Sequence, residues 1–186
     1  VYKLVDSLIA SCTEPILGIS VGAPGIVDEN NGAIRFAANV DWQDLPLQEL
    51  LRERYALPIY VVNDNDAAVM AEYTFGRYKD SPDLVVFHID QGIGAGIVLH
   101  HQLLRGHGSG AGEIGHVMVV EDGDRCLCGN YGCLETVASN RAILARAREI
   151  ARKNPASLLN RIAPAPEQID IRTIQQALED GDETLQ

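Results

Sequence analysis

The stretch from Gly112 to Glu135, "GEIGHVMVVEDGDRCLCGNYGCLE", constrains this chain more than any other. Cys126, Cys128 and Cys133 fall within eight residues, and His116 stands ten residues before the first of them. Three thiolates and one imidazole match the donor set of a tetrahedral Zn2+ site. Cys-x-Cys is tighter than the common knuckle spacing, and Gly129 and Gly132 let the chain fold back so that Cys133 can reach the same ion. Four protein ligands close such a site, so the zinc is expected to be structural, contributing roughly 10 kcal/mol to local folding. The alternatives are free buried cysteines or a Cys126–Cys133 disulfide. An iron–sulfur cluster would need a fourth thiolate. The remaining cysteine, Cys12, is distant and is expected in the core, on the apolar face of an N-terminal helix with Val1, Leu4, Val5, Leu8 and Ile9.

The acidic flanks need a separate account. Glu113 lies three residues before His116, and Glu135 two residues after Cys133. An ion that ordered the knot would draw both neighbourhoods together. Carboxylates beside an ordered imidazole suit a polyhydroxylated ligand, because they accept short, charge-assisted hydrogen bonds from hydroxyls.

Bulk properties narrow the class. The 186 residues suffice for one domain or two small lobes, and 46% hydrophobic content supports a core. A formal charge of −11 repels phosphate backbones, so this chain is not expected to grip nucleic acid by itself. No apolar run reaches the ~18 residues of a membrane span, and "VYKLVDSLIASC" has neither the basic head nor the cleavage site of a signal peptide. The cytoplasm is therefore the expected compartment, where clustered cysteines favour metal over disulfide. A start within a helix and an end just after one read as cuts through a longer protein.

Strand and helix signals alternate, which argues for an α/β fold. "PILGISVGAPGIVD" reads as a buried strand and a Gly-Pro turn. Asn31-Gly32 offers a hairpin turn into a strand over 33–36. "DLPLQELLRERY" reads as a helix with Pro46 in its first turn, and "LPIYVV" as a short strand. "NDNDAAVMAEYTFG" reads as a helix with polar capping residues and a stop at Gly76. "DLVVFHID" and "GIVLHHQLLRG" read as strands around the loop "QGIGAG". "ASNRAILARAREIARKN" is a helix with its basic residues toward the C-terminal end, and a last helix is expected near 171–178.

"AGEIGH" followed by "CLCGNYGCLE" resembles the signature of the ROK family, which contains sugar kinases and sugar-responsive transcriptional repressors. "GISVGAPGIVD" is similar to the family's apolar strand and glycine-rich turn. "AANVDW" is similar to its Pro-Asn-Leu-x-Trp region, with Ala38 in place of proline. "VVNDNDAAVMAE" resembles its Asn-Asp-Ala-Asn helix start, and "DQGIGAGIVLHHQLLRG" its second phosphate loop. The resemblance implies an actin-like ATPase fold of two ribonuclease-H-like lobes, here incomplete at both ends. The lobes would be residues 1–62 and 63–186, with the zinc knot at 113–135 in the second. It implies zinc on His116, Cys126, Cys128 and Cys133. It implies a sugar in the interlobe cleft, lined by Asn39, Asn63, Asp64, Glu113, His116 and Glu135. In the kinases the aspartate matching Asp64 is the general base, taking the proton of a sugar hydroxyl that attacks the γ-phosphate of ATP-Mg2+. As a residue at a helix start, Asp64 would equally serve as an N-cap.

Two branches of the family remain open. The Asp-x-Gly-Gly-Thr loop that begins the kinases is absent from these residues, and so is their C-terminal adenosine motif. Asp90-Gln91-Gly92 replaces the usual Gly-Thr-Gly of the middle loop. The expected identity is therefore the sugar-binding effector part of a regulator, homodimeric, reading DNA through a helix-turn-helix outside these residues. The alternative is a piece of an ATP-dependent sugar kinase, and the retained Asp64 favours it.

Overall fold

The computed structural model describes residues 1–185, along which strands and helices alternate as an α/β chain requires. They fall into two compact units, one of Val1–His88 with Gly94–Glu113, the other of Ile89–Ile93 with the chain from Ile114 onward. The step from residue 62 to 63 lies inside the first unit, where a strand runs directly into a helix.

The first unit begins with α1 (Tyr2–Ser11) and β1 (Ile19–Ala23). β2 (Ile26–Asp28), β3 (Ala33–Ala37) and β4 (Trp42–Leu45) form an antiparallel sheet in that order. After α2 (Leu47–Arg54), β5 (Ile59–Asn63) returns parallel to β1, with Ala23 opposite Asn63. Both parallel strands thus end together, and α3 (Asp64–Phe75) leaves from that end. Ligands of open α/β sheets bind outside the carboxyl ends of parallel strands. β6 (Leu84–Ile89), β7 (Ile93–Leu99) and β8 (Gln102–Leu103) make a third sheet with β7 in the middle. The core of the unit packs Val27, Ile34, Leu47, Leu51, Ile59 and Val61. Gln48 is buried among them because its Oε1 accepts the Val61 N–H (3.2 Å), satisfying a backbone donor that would otherwise be orphaned.

Several local expectations change. Cys12 is exposed, because α1 buries only Val5 and leaves Leu4 and Leu8 in solvent. β1 is less buried than a run of apolar letters suggests: Ser20 and Gly22 face outward and only Ala23 is fully enclosed. The β2–β3 connection spans four residues. Only Gly32 is left-handed there (φ 63°), and Gln48 fills the space a side chain would need. The last two glycines of "GIGAG" lie within β7, where a Cβ on Gly94 would meet the Asn65 side chain and one on Gly96 its backbone and Val69. Those glycines let α3 lie close on β7.

The second unit holds α4 (Leu134–Ala138), α5 (Asn140–Lys153), α6 (Leu159–Ile162) and α7 (Ile171–Glu179). Its core is Ala147, Ala151, Leu159, Ala163, Ile169, Ile174 and Ala177. α7 starts in a capping box between Asp170 and Thr173. Asp182 fastens the tail: it accepts from Ser157 Oγ and Leu158 N (both 2.7 Å) and from Thr184 N and Oγ1 (3.0 and 2.7 Å). Burial alone would push its carboxyl up, but these bonds hold it at about 2. A depressed carboxylate stabilises above its unfolded value near 3.8, and that contribution is lost as pH falls toward 2. Asp182→Ala is expected to lower stability at pH 7 by about 2 kcal/mol, with the difference from wild type shrinking toward pH 2. Urea titrations of both proteins at pH 7 and near pH 2 check this.

Candidate metal centre and ligand-binding groups

The knot folds as its glycines allow. Cys126 N–H donates to Asn130 O (2.7 Å) and Gly132 N–H to Asp124 O (2.9 Å), closing the loop between them. Met118 pairs with Cys133 and Arg125 with Tyr131 in short antiparallel bridges. Gly129 and Gly132 have φ of 96° and 66°, and a Cβ on Gly132 would collide with the Val120 carbonyl. Gly132 is therefore required twice, for its φ and for the close approach of Val120.

This folding brings one donor atom from each of His116, Cys126, Cys128 and Cys133 within 4.8 Å of every other. The Cys128 and Cys133 sulfurs are 3.8 Å apart, and Cys126 Sγ lies 3.6 Å from His116 Nδ1. A tetrahedral ion with Zn–S near 2.3 Å and Zn–N near 2.05 Å would set these edges at roughly 3.8 and 3.5 Å. The four side chains thus fit a closed tetrahedral site as the sequence reading expects. No disulfide joins them. Burial, reinforced by the Cys128 and Cys126 thiols, pushes Cys133 up to about 12, and burial also raises Cys126. In the metal-free chain these groups are neutral thiols, and a cation is what would make them thiolates.

Glu135 sits in the first turn of α4, two residues past the last cysteine. It is 3% exposed. Its Oε2 accepts the Ile93 N–H (3.1 Å) and its Oε1 the Arg141 guanidinium (3.3 Å). Gly115 packs under the Ile93 carbonyl, where a Cβ would collide. Asn140 binds the same loop, its N–H donating to Asp90 O (2.8 Å) and its Nδ2 to Asp90 Oδ1 (3.0 Å). The knot, α4 and the start of α5 therefore hold the loop 89–93 inside the second unit. Arg141 and Asn140 carry no motif that would have flagged them.

In the first unit Asn63, not Asp64, is the N-cap of α3. Its Oδ1 accepts from Asn65 N (2.8 Å) and Asp66 N (3.0 Å), while its Nδ2 donates to Gly25 O (2.8 Å). Asn63 thus holds the glycine-rich turn after β1 against the start of the helix. Asp64 is the first helical residue; its Oδ1 accepts from Asn65 N (2.9 Å), and it stands beside Gly22. Asn39 is exposed in a 3-10 turn. Glu29 is ion-paired with Arg105, and burial first, then the charge of Glu29, pushes the Asp66 carboxyl up to about 6. Asp66, Glu29 and Arg105 are absent from the sequence reading, because they come from three distant segments. Glu113 belongs to the first unit and His116 to the second.

The expected outcome of metal removal follows. A native preparation is expected to carry one equivalent of metal, and a strong chelator should lower the melting temperature of the second unit. Cys128→Ser should do the same by several kcal/mol. The metal-free chain should lose stability as pH rises from 9 toward 12, because the unfolded Cys133 thiol ionises there while the buried one keeps its proton. Elemental analysis and calorimetry with and without chelator check both.

Residues 1–186 match the ROK family along the whole chain. The chain is 38% identical over 138 residues to the xylose repressor of Caldicellulosiruptor bescii, covering 74% of this chain and 35% of that protein. It is also 38% identical over 165 residues to the glucokinase of Thermotoga maritima, covering 88% of this chain and 52% of that protein. Among solved structures, a ROK family glucokinase from Streptomyces griseus in complex with glucose and AMPPNP superimposes with a TM-score of 0.85 at 33% identity. That match covers 100% of this chain and 62% of the other. The chain spans a third to about half the length of these two curated relatives. Relatives thus fall among both repressors and kinases, and this chain belongs to the ROK family.

Proposed function

We propose that this chain is the sugar-sensing part of a ROK-type transcriptional regulator, with a structural zinc on His116, Cys126, Cys128 and Cys133. Asp64, Asn63, Asn39 and Glu113 from the first unit, and His116 and Glu135 from the second, are the groups assigned to the sugar. Their roles differ. Asp64, whose Oδ1 accepts the Asn65 N–H and whose carboxylate has further lone pairs, accepts from sugar hydroxyls. Asn63 and Glu135 hold backbone in place, through their bonds to the Gly25 carbonyl and the Ile93 N–H. The DNA-reading head lies outside these residues, and the sugar acts by shifting the population between two arrangements of a homodimer.

One observation favours the sensor over the kinase. Asp90 stands in the loop that resembles a phosphate loop, and its carboxylate bonds to Asn140, the first residue of α5. The Asn140 side-chain amide is a donor that a phosphate oxygen could use, and here the Asp90 carboxylate takes it. A nucleotide phosphate brought there would meet like charge. The kinase reading keeps one support: Asp64 is placed at a helix start beside parallel strand ends, as a general base for a sugar hydroxyl would be.

Calorimetry with D-glucose, D-xylose and N-acetylated hexosamines is expected to identify a bound sugar. Asp64→Ala should weaken that sugar at least about tenfold. Unchanged affinity would remove Asp64 from the site. The complete protein should not turn over ATP with any of these sugars, and turnover at roughly 1 per second or faster would establish the kinase reading instead.

A further inference from the structure

Four consecutive apolar residues after His116 stand in solvent: Val117 is 56% exposed, Met118 68%, Val119 50% and Val120 39%. An extended segment turns successive side chains to opposite faces, so neither face of this one is covered. Leu127 and Tyr131 of the same knot are exposed as well. Contiguous exposed apolar groups mark interaction surfaces. The backbone is as open as the side chains. Met118 lies opposite Cys133. The bonds beside that pair run from Leu134 N–H to Val117 O (2.9 Å) and from Val119 N–H to Gly132 O (2.8 Å). Met118 is thus in a non-hydrogen-bonded pair, and its own N–H and C=O point to the other edge. Among the described residues nothing bonds to either group. Edge strands are commonly blunted by Lys or Pro, and residues 117–120 hold neither.

We propose that this edge pairs with the same edge of a second copy of the chain, antiparallel about a two-fold axis at Met118. Each Met118 N–H donates to the carbonyl of the partner's Met118, so both open groups of each copy are used. The axis sets Val117 opposite the partner's Val119, apolar against apolar at every pair. Charge favours a second copy over another protein. A chain with a formal charge of −11 repels its own kind except where it presents no acid. Residues 117–120 carry no ionisable side chain, and a basic partner would find no counter-charge on them. Glu121 and Asp122 follow at once, and the antiparallel arrangement sends them to opposite ends of the contact. Six side chains about half exposed supply roughly 500 Å2 per copy, about 1,000 Å2 in all, the lower end of specific interfaces. The dimer is accordingly weak, dissociating in the micromolar range. The pairing rests on the regulator reading only for the homodimer, to which it gives a surface; it needs neither sugar nor DNA.

Sedimentation equilibrium from about 2 to about 200 µM should show the mass rising from 20.2 kDa toward twice that value. Met118→Arg sets two like charges face to face and should weaken the dimer at least about tenfold, and Met118→Glu should do the same. Mixed in equal amounts, the two variants should regain wild-type association, because only a residue that faces itself is rescued by its opposite in the other copy. Met118→Leu should leave association unchanged. Position 118 is largely in solvent, so the monomers of all three variants should melt where the wild-type monomer does. A wild-type chain that stays monomeric over this range overturns the pairing. So does a mixture of Met118→Arg and Met118→Glu that remains monomeric. If Met118→Arg associates as wild type does, through another apolar surface such as Val85 and Phe87 of β6, the edge is overturned while a homodimer stands.

Discussion

Holding three thiols and an imidazole within 4.8 Å of one another is the constraint on which the second unit depends. Neutral thiols gain little from such crowding; they are weak donors and weak acceptors, and two of them are buried. A divalent cation turns the same crowding into four strong bonds. The consequences extend past the four ligands. Cys133 is the N-cap of α4, so the position of Glu135 in the next turn is set by the knot. Glu135 in turn accepts the Ile93 N–H and fixes the loop that Asn140 holds from the other side. A short helix of five residues has little stability of its own. It persists here because it is anchored at its first residue by the knot and at its end by the cap of α5.

The first unit solves a similar problem without metal. The turn after β1 and the start of α3 come from residues almost forty apart, and Asn63 joins them with one side chain. Its oxygen satisfies two helix donors and its nitrogen one turn carbonyl, so every polar atom of the amide is used. Asp64 then shares in the cap only through Oδ1, which accepts the Asn65 N–H. An aspartate that must cap a helix has its oxygens committed. One that follows a capping asparagine has lone pairs left for a ligand.

Local features of the fold were legible where they depend on neighbours in sequence. The helices near 47–54, 64–75, 140–153 and 171–179 follow from caps, spacing and basic ends, and the structure places them there. The knot was legible because its donors lie within eighteen residues. What escaped depends on distant partners. Cys12 reads as core because an apolar stripe does not say whether anything covers it. "GIGAG" reads as an anion loop or a turn, whereas Gly94 and Gly96 are demanded by Asn65 and Val69 of a helix nearly thirty residues earlier. The pairing of Glu29 with Arg105 has no signature in sequence, since each residue alone resembles an ordinary surface charge. Asn63 was read as a sugar ligand, and its capping bonds give it a structural role whatever it also contacts.

A fold shared by repressors and kinases must separate two tasks, holding a sugar and transferring phosphate to it. The groups that hold hydroxyls need lone pairs at fixed positions; the groups that hold phosphates need donors and no nearby anion. In this chain Asp64 stands at a capped helix start, where a carboxylate could meet the first requirement. The second is opposed by Asp90, whose carboxylate occupies the donor of Asn140 at the head of a helix of 14 residues.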